Sequence, residues 1–371
     1  MIRAWRFRLD PLPLLDSCIG AGSLALGADQ ELVWEPSRVG EIFRTEHQMR
    51  VDGSSTLEPL VGKHSLLFAN GPAHTSHRQV IGPQLRGRAL AAWQPVIAAE
   101  TAAALAPGVV DLPSWTRKLT LRIISRILFG ETRDEFLSSF AAWVDSALGN
   151  RRRALVYRYL RFSSVPAWRN FLREREELRR LVLSFPSGLD VGDLSDSDRA
   201  DQLVSLLFAG HETTASALTS ALYWLDRSPG VLADLRDEPD GPLLDAVCRE
   251  VLRISPPAVI AGNRVLEGKR LTPCIYAAHR NPEVFTRPLE FCPERFVGHR
   301  FPASQYLPFG GGTRRCLGAD LAMLELRTVL AMVVQTDFRV VAPERAVFGP
   351  RGQVLCFPEL TAAFRRPAPR G

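Results

Sequence analysis

The stretch Phe309-Gly310-Gly311-Gly312-Thr313-Arg314-Arg315-Cys316-Leu317-Gly318 holds three consecutive glycines, two arginines and a cysteine, and an apolar helical pattern from Gly318 to Gln335 follows it. Glycine admits positive φ and lets a backbone approach a flat ligand closely. A cysteine just before a helix meets unpaired N–H groups and the positive dipole end, both of which favour a thiolate. Arg314 adds a guanidinium suited to a carboxylate or a phosphate. A phosphate loop would close on Gly-Lys-Ser/Thr, and this turn does not. Two readings of these residues stay open: an anionic, ligating sulfur, or a glycine-rich turn with an incidental cysteine.

Upstream, Arg199–Arg227 forms one long helical pattern, apolar on every side and therefore expected to be buried. In its middle stands Ala209-Gly210-His211-Glu212-Thr213-Thr214. A carboxylate in such a place is costly unless it has a partner or a task. Ala209 and Gly210 clear one face, and a mid-helix threonine can bond the carbonyl one turn back, at Ala209. That would loosen the helix into a groove able to pass protons to a bound ligand. The plainer reading is an ordinary Glu-Thr-Thr cluster on a packed or solvated face.

Elsewhere, strand character is expected near Leu24–Leu26 and Leu32–Trp34, and a helix over Arg38–Thr45. A long loop should span 46–72. Helices are expected at Ala73–Leu85, Ala89–Leu105, Leu112–Leu128, Glu135–Leu148 and Val165–Leu183. A turn over 184–198 supplies Ser and Asp caps to the long helix, which Pro229 should stop. Leu243–Ile254 makes another helix, ended by Pro256-Pro257, and short strands fill most of the rest. The predicted class is mainly α with a minor β part.

Composition sets the outer bounds. The 371 residues, 46% hydrophobic and 23% charged, can bury a large core. The formal charge of +6 is modest. The run Arg173 to Arg180 interleaves with Glu174, Glu176 and Glu177, as on a solvated helix face. Arg151-Arg152-Arg153 is a second basic cluster, yet no basic stripe alternates with aromatics, so no nucleic-acid partner is expected. The six cysteines include no C-x-x-C pair, which argues against zinc, iron–sulfur and a dense disulfide framework. No apolar run reaches the roughly 18–20 residues of a membrane span, and no export signal follows Arg3, Arg6 and Arg8. A cytoplasmic protein is the expectation.

The spacing Phe309-x-x-Gly312-x-Arg314-x-Cys316-x-Gly318 resembles the haem-binding signature of the cytochrome P-450 family. The segment from Ala209 to Thr213 is similar to that family's oxygen-activation motif. Glu250-Val251-Leu252-Arg253 matches its Glu-x-x-Arg motif, and Pro293-Glu294-Arg295-Phe296 the segment whose arginine completes a buried triad. His279-Arg280-Asn281-Pro282 looks like the family's turn before Pro293. The anchors fall in the expected order from about residue 30 onward.

The resemblance implies the P-450 fold, a triangular helical prism around haem b (iron protoporphyrin IX) with a long central helix, and one catalytic domain over 1–371. It implies Cys316 as the metal ligand, its thiolate donating electron density to iron. His74, Arg78, Arg264 and Arg314 become propionate partners, and Ala209, Gly210, Pro308, Phe309, Gly310 and Gly318 further cofactor contacts. Glu212 and Thr213 become the acid–alcohol pair of oxygen activation, with Thr214 at the following hydroxyl position. His77, on another face from His74, should be solvent-exposed.

The implied activity is a monooxygenase that takes one oxygen atom from O2 into a hydrophobic small molecule. Electrons would come from NAD(P)H through a separate ferredoxin or flavodoxin and its reductase, docking near Arg314 and Arg315. Candidate cavity residues are Leu66, Leu67, Leu206, Leu207, Val259, Ile260 and Ala261. Two competing functions are a haem sensor without turnover and a peroxide-using or rearranging enzyme. The Glu212–Thr213 pair speaks against both, since peroxide users of the family tend to lack it. The chain departs from the pattern between Arg270 and Tyr276, where Gly-Lys-Arg-Leu-Thr-Pro-Cys runs almost directly into Ile275 and strands beside the cavity are expected to be curtailed.

Overall fold

The computed structural model describes residues 2–52, 57–148, 165–186, 188–344, 348–351 and 354–365. The Arg151-Arg152-Arg153 cluster lies outside these residues. The helices are α1 (Ile2–Leu9), α2 (Pro11–Asp16), α3 (Pro36–Thr45), α4 (Glu58–Val61), α5 (Gly71–Ile81), α6 (Leu90–Ala104), α7 (Leu112–Phe129), α8 (Asp134–Leu148), α9 (Pro166–Leu183), α10 (Asp196–Asp226), α11 (Pro229–Asp237), α12 (Pro242–Ile254), α13 (Ile275–Ala278) and α14 (Ala319–Val333). They carry the main core.

Among the described residues three small sheets flank them. The five-stranded sheet runs β1 (Ser23–Ala25), β2 (Gln30–Val33), β6 (Lys269–Pro273), β5 (Asn263–Leu266) and β3 (Arg50–Asp52) in spatial order. Within this sheet β2 and β6 pair in parallel and the other neighbours are antiparallel. A second sheet sets β10 (Thr361–Arg365) between β4 (Gly108–Asp111) and β7 (Asp337–Val341). A hairpin joins β8 (Gly349–Arg351) to β9 (Val354–Cys356).

The central helix α10 starts on Ser195, whose side chain accepts from the Asp198 N–H at 3.2 Å, with Asp196 and Asp198 facing the positive dipole end. It packs mainly along α7. Hydroxyls tie the two together: Thr120 donates to the His211 carbonyl at 3.0 Å, and Thr116 meets Thr219 at 2.7 Å.

Several boundaries differ from expectation. Pro229 opens α11 rather than only closing α10, because proline suits the first helical turn, where its missing N–H has no partner to lose. The expected loop over 46–72 contains β3 and α4, both too short to show a period. At the departure between Arg270 and Tyr276 the structure places β6, which pairs with β5 through Arg264↔Leu271 and Val265↔Arg270. On α9, Arg179 is buried rather than solvated, with its guanidinium against Asp201 and 3.4 Å from Glu176.

A buried ion cluster anchors the cysteine side of the molecule. Arg253 donates Nε and an Nη to the two oxygens of Glu250 at 2.7 and 2.8 Å, and both side chains are fully buried. Its remaining donors reach the carbonyls of His279, Pro288 and Glu290. Arg295 closes the triad at 3.2 Å from Glu250. The expected turn at His279 is part of the same unit: its Nε2 accepts the Leu307 N–H at 3.0 Å, two residues before Phe309. Burial, then the Arg253 and Arg280 charges, hold the His279 imidazole well below its ordinary range.

Glu250→Gln leaves Arg253 a buried charge without its counter-ion, and the unfolding free energy should fall by about 3–5 kcal/mol in urea titration. Neutral His279 and His211 give a second expectation. Their folded-state values lie below the ordinary 6.5, His211 at about 4, so the unfolded chain binds more protons below that pH. Their contribution is present above about 6.5 and is lost as pH falls toward 4. Urea midpoints should drop over that interval, and His279→Gln should flatten the drop.

Candidate cofactor and active site

The cysteine loop is shaped by contacts that exclude side chains. Gly310 and Gly312 adopt positive φ of 66° and 65°, while Gly311 is extended. A Cβ on Gly311 would fall 2.3 Å from the Phe43 ring, and one on Gly312 would strike the Glu46 carboxylate. The loop is thus pressed onto the end of α3. Its return is closed by the Cys316 N–H, which donates to the Phe309 carbonyl at 2.8 Å.

Cys316 lies deep in the molecule, yet its surface is exposed, so it faces an internal space rather than bulk solvent. Burial pushes its thiol up; the Gly318 N–H, Arg315 and Arg78 act against that. Among the described residues no three His, Cys, Asp or Glu side chains converge as a metal centre. A metal held by Cys316 would take its other ligands from a non-protein group.

Beside this loop the chain concentrates positive charge. His74 on α5 is buried, and its imidazole is lowered to about 4 by burial and by Arg314 and Arg78, with Glu46 opposing. Arg314 is lowered to about 10 by burial and by Arg264 and Arg78, again with Glu46 opposing. Arg78 donates to the Arg315 carbonyl at 2.9 Å, and Arg314 to the Ala69 carbonyl at 2.6 Å and Asn70 Oδ1 at 2.8 Å. Arg264, fully buried, lies 3.2 Å from Glu46 Oε2 and also donates to the Gly311 carbonyl. Four predicted residues are therefore brought together. His77, expected outside, is half-buried.

Over residues 200–222 of α10 the accessible positions are Leu206, Ala209, Gly210 and Thr213, while their neighbours are buried. The spacing of three, four and seven residues puts them on one helical face. Thr213 Oγ1 donates to the Ala209 carbonyl at 2.6 Å, as predicted, and the helix stays continuous through it. Gly210 has a different use from Ala209: its Cβ would sit 2.9 Å from Ile124 of α7, so the glycine admits the neighbouring helix. Thr214 is buried and off the accessible face. Glu212 is buried as well; its Oε2 lies 3.5 Å from Arg351 Nε, and its Oε1 has no hydrogen-bond partner. His211 Nδ1, also without one, is 3.8 Å from that Oε1.

Of the proposed cavity residues, Leu207 and Leu66 are buried, Leu207 in the main core. Leu67, Leu206, Val259, Ile260 and Ala261 keep accessible surface. Pro308, Phe309 and Gly318 are half-buried around the cysteine turn. Glu46 and Arg351 were missed by sequence reasoning, since each is a lone charged residue without local pattern.

The arrangement suits a flat, dianionic group with a central metal. The thiol faces inward, the cation group has one shared carboxylate, and glycines remove bulk from the loop. Haem b has that shape and charge. Comparison with known proteins agrees. The family model described as Cytochrome P450 matches residues 172–348. Cytochrome P450 137 of Mycobacterium tuberculosis is 30% identical over 93% of this chain and 82% of its own length. The crystal structure of CYP175A1 from Thermus thermophilus superposes with a TM-score of 0.81 at 26% identity, covering 97% of this chain and 96% of that one. Cyanobacterial CYP120A1, solved with retinoic acid bound, shares the fold at a TM-score of 0.76 and 22% identity, over 91% and 89% of the two chains. The chain belongs to the cytochrome P450 family and is a haem-thiolate monooxygenase.

Proposed function

We propose that the whole chain is one catalytic domain inserting an oxygen atom from O2 into a hydrophobic small organic molecule by hydroxylation or epoxidation. The observation that carries this is the pairing of an inward-facing Cys316 with an α10 face on which Thr213 and Ala209 are accessible. Haem, when bound, would supply the redox-active iron at which dioxygen is reduced.

The protein's own residues do the rest. Cys316 Sγ would hold the metal, with the Gly318 N–H directed at the sulfur. His74, Arg78, Arg264 and Arg314 bind the two propionates and so orient the ring. Thr213 Oγ1, already donating to Ala209, can accept a proton and pass one on through its hydroxyl. Glu212 is the acid that feeds it. Apolar surface at Leu67, Leu206, Val259 and Ile260 excludes water and favours a substrate of matching character.

Electrons would reach the site from NAD(P)H through a separate ferredoxin or flavodoxin and its reductase. Arg314 turns inward, whereas the Arg315 side chain is 53% exposed beside the same loop, so Arg315 suits an acidic partner. Among the described residues no helix is long and apolar enough to cross a membrane.

A carbon-monoxide difference spectrum of the reduced protein tests the central assignment. The red-shifted Soret band of a thiolate ligand should appear in the wild type and vanish in Cys316→Ala. A band only at the shorter wavelength, in the wild type, would overturn it. Arg314→Gln tests the cradle: transfer of haem to apomyoglobin should accelerate by about thirtyfold, as expected for loss of about 2 kcal/mol from a buried charge pair. An unchanged rate would remove Arg314 from the cofactor set.

A further inference from the structure

Asn70 stands immediately before α5, extended at φ −129° and ψ 163°, where an asparagine ordinarily caps the helix. Its side chain makes no such cap. It turns instead to β3 and grips both backbone groups of Val51. Oδ1 accepts the Val51 N–H at 3.2 Å, and Nδ2 donates to the Val51 carbonyl at 3.1 Å. The second Nδ2 hydrogen goes to the Phe68 carbonyl at 3.1 Å, and Oδ1 also accepts from Arg314 Nη2 at 2.8 Å. All four hydrogen-bonding sites of the amide are thereby used. A flipped amide would set its N–H groups against two donors, so the partners fix its orientation.

This amide joins two parts of the cation group. β3 is the edge strand of the five-stranded sheet, and Val51 lies opposite Arg264 on β5. Arg314 of the cysteine loop is therefore held against the strand pair that carries Arg264. The two arginines repel, and both Arg264 and Arg78 act to lower Arg314. A guanidinium so placed would swing away unless something held it. The Asn70 oxygen and the Ala69 carbonyl hold Nη2, at 2.8 and 2.6 Å, and neither carries a formal charge. Among the described residues Arg314 Nε and Nη1 make no hydrogen bond. The side chain is fixed, while its charge and three of its N–H groups stay available to an anion. An aspartate at this position would neutralise that charge.

We propose that Asn70 is a positioning residue of the cofactor cradle, aiming Arg314 at a propionate from a fixed point on β3 beside Arg264. This rests on the propionate role given above to Arg314 and deepens it. Asn70 acts through Arg314 and does not itself touch the cofactor.

The test is a double-mutant cycle on the rate at which the ferric holoprotein gives up haem to apomyoglobin. It compares the wild type, Asn70→Ser, Arg314→Gln and the double variant. Serine keeps a helix-capping hydroxyl but cannot span Val51 and Arg314, so it separates a cap from a positioning residue. Asn70→Ser should accelerate transfer about tenfold, less than Arg314→Gln because Asn70 lies at the surface. On the Arg314→Gln background the same change should add less than about twofold. A wild-type rate in Asn70→Ser would overturn the proposal. Equal acceleration on both backgrounds would overturn it too, leaving Asn70 as support for β3 and the loop alone. So would loss of haem from Asn70→Ser while Arg314→Gln keeps it, since a residue acting through Arg314 cannot cost more than Arg314 itself. If Arg314→Gln does not retain haem, Asn70→Asp decides: a carboxylate that neutralises Arg314 should speed transfer beyond Asn70→Ser, and a slower rate than Asn70→Ser refutes the role. Failure of the underlying reading looks different, because Arg314→Gln would then transfer haem at the wild-type rate.

Discussion

Buried positive charge without enough negative charge is the condition to which the site is tuned. His74 and Arg78 on α5, Arg264 on β5 and Arg314 in the cysteine loop share the Glu46 carboxylate. Desolvation and mutual repulsion lower His74 to about 4 and Arg314 to about 10. His74 is thereby neutral and offers an N–H, while the arginine charges, which water would screen, ask for an anion in the interior. Under the function proposed above, two haem propionates would answer that need. Phe43 and Glu46 press the cysteine loop into place, the loop requires Gly311 and Gly312, and the Cys316 thiol is left facing inward. The Glu250–Arg253–Arg295 cluster lies behind, linked through His279 to Leu307 at the root of the loop.

The parts of this site that were legible in the sequence share one physical trait. They are local. A cysteine turn is written in ten successive residues, the threonine back-bond in residues 209 and 213, and the Glu250–Arg253 pair in two residues one helical turn apart. The helices were legible for the same reason, because a 3.6-residue period repeats over enough turns to stand out. Elements of three to five residues such as β3 and α4 show no period at all, and both hid inside an expected loop. Pro229 was ambiguous because one property, the missing N–H, serves to end a helix and to begin one.

Partnerships across the chain were not legible. Glu46 meets an arginine 218 positions away, and Arg351 meets a glutamate 139 positions away. Neither carries a motif, and either could have been one more solvated charge. Arg179 shows the same limit in reverse. Its neighbours in sequence mark a charged helix face, yet burial pairs it with Asp201 of another helix. Where a charge ends up depends on which backbone it meets, and that is a property of the fold.

The central helix joins these two kinds of information. Its face toward the cavity is set by small residues and a hydroxyl, while its opposite faces are set by packing against α7. Gly210 sits where the two demands overlap: it is accessible at the backbone, yet Ile124 fills the place of its side chain. Close approach of α7 also brings Thr120 onto the His211 carbonyl, one peptide before Glu212. The segment around Glu212 and Thr213 is therefore held at three points: Thr213 satisfies the Ala209 carbonyl, Thr120 the next but one, and Arg351 one oxygen of the Glu212 carboxylate. What remains uncommitted is the other oxygen of Glu212 and the accepting capacity of the Thr213 hydroxyl. Beside them on the same helix His211 Nδ1 is also without a partner, so the unsatisfied polar atoms gather around Glu212.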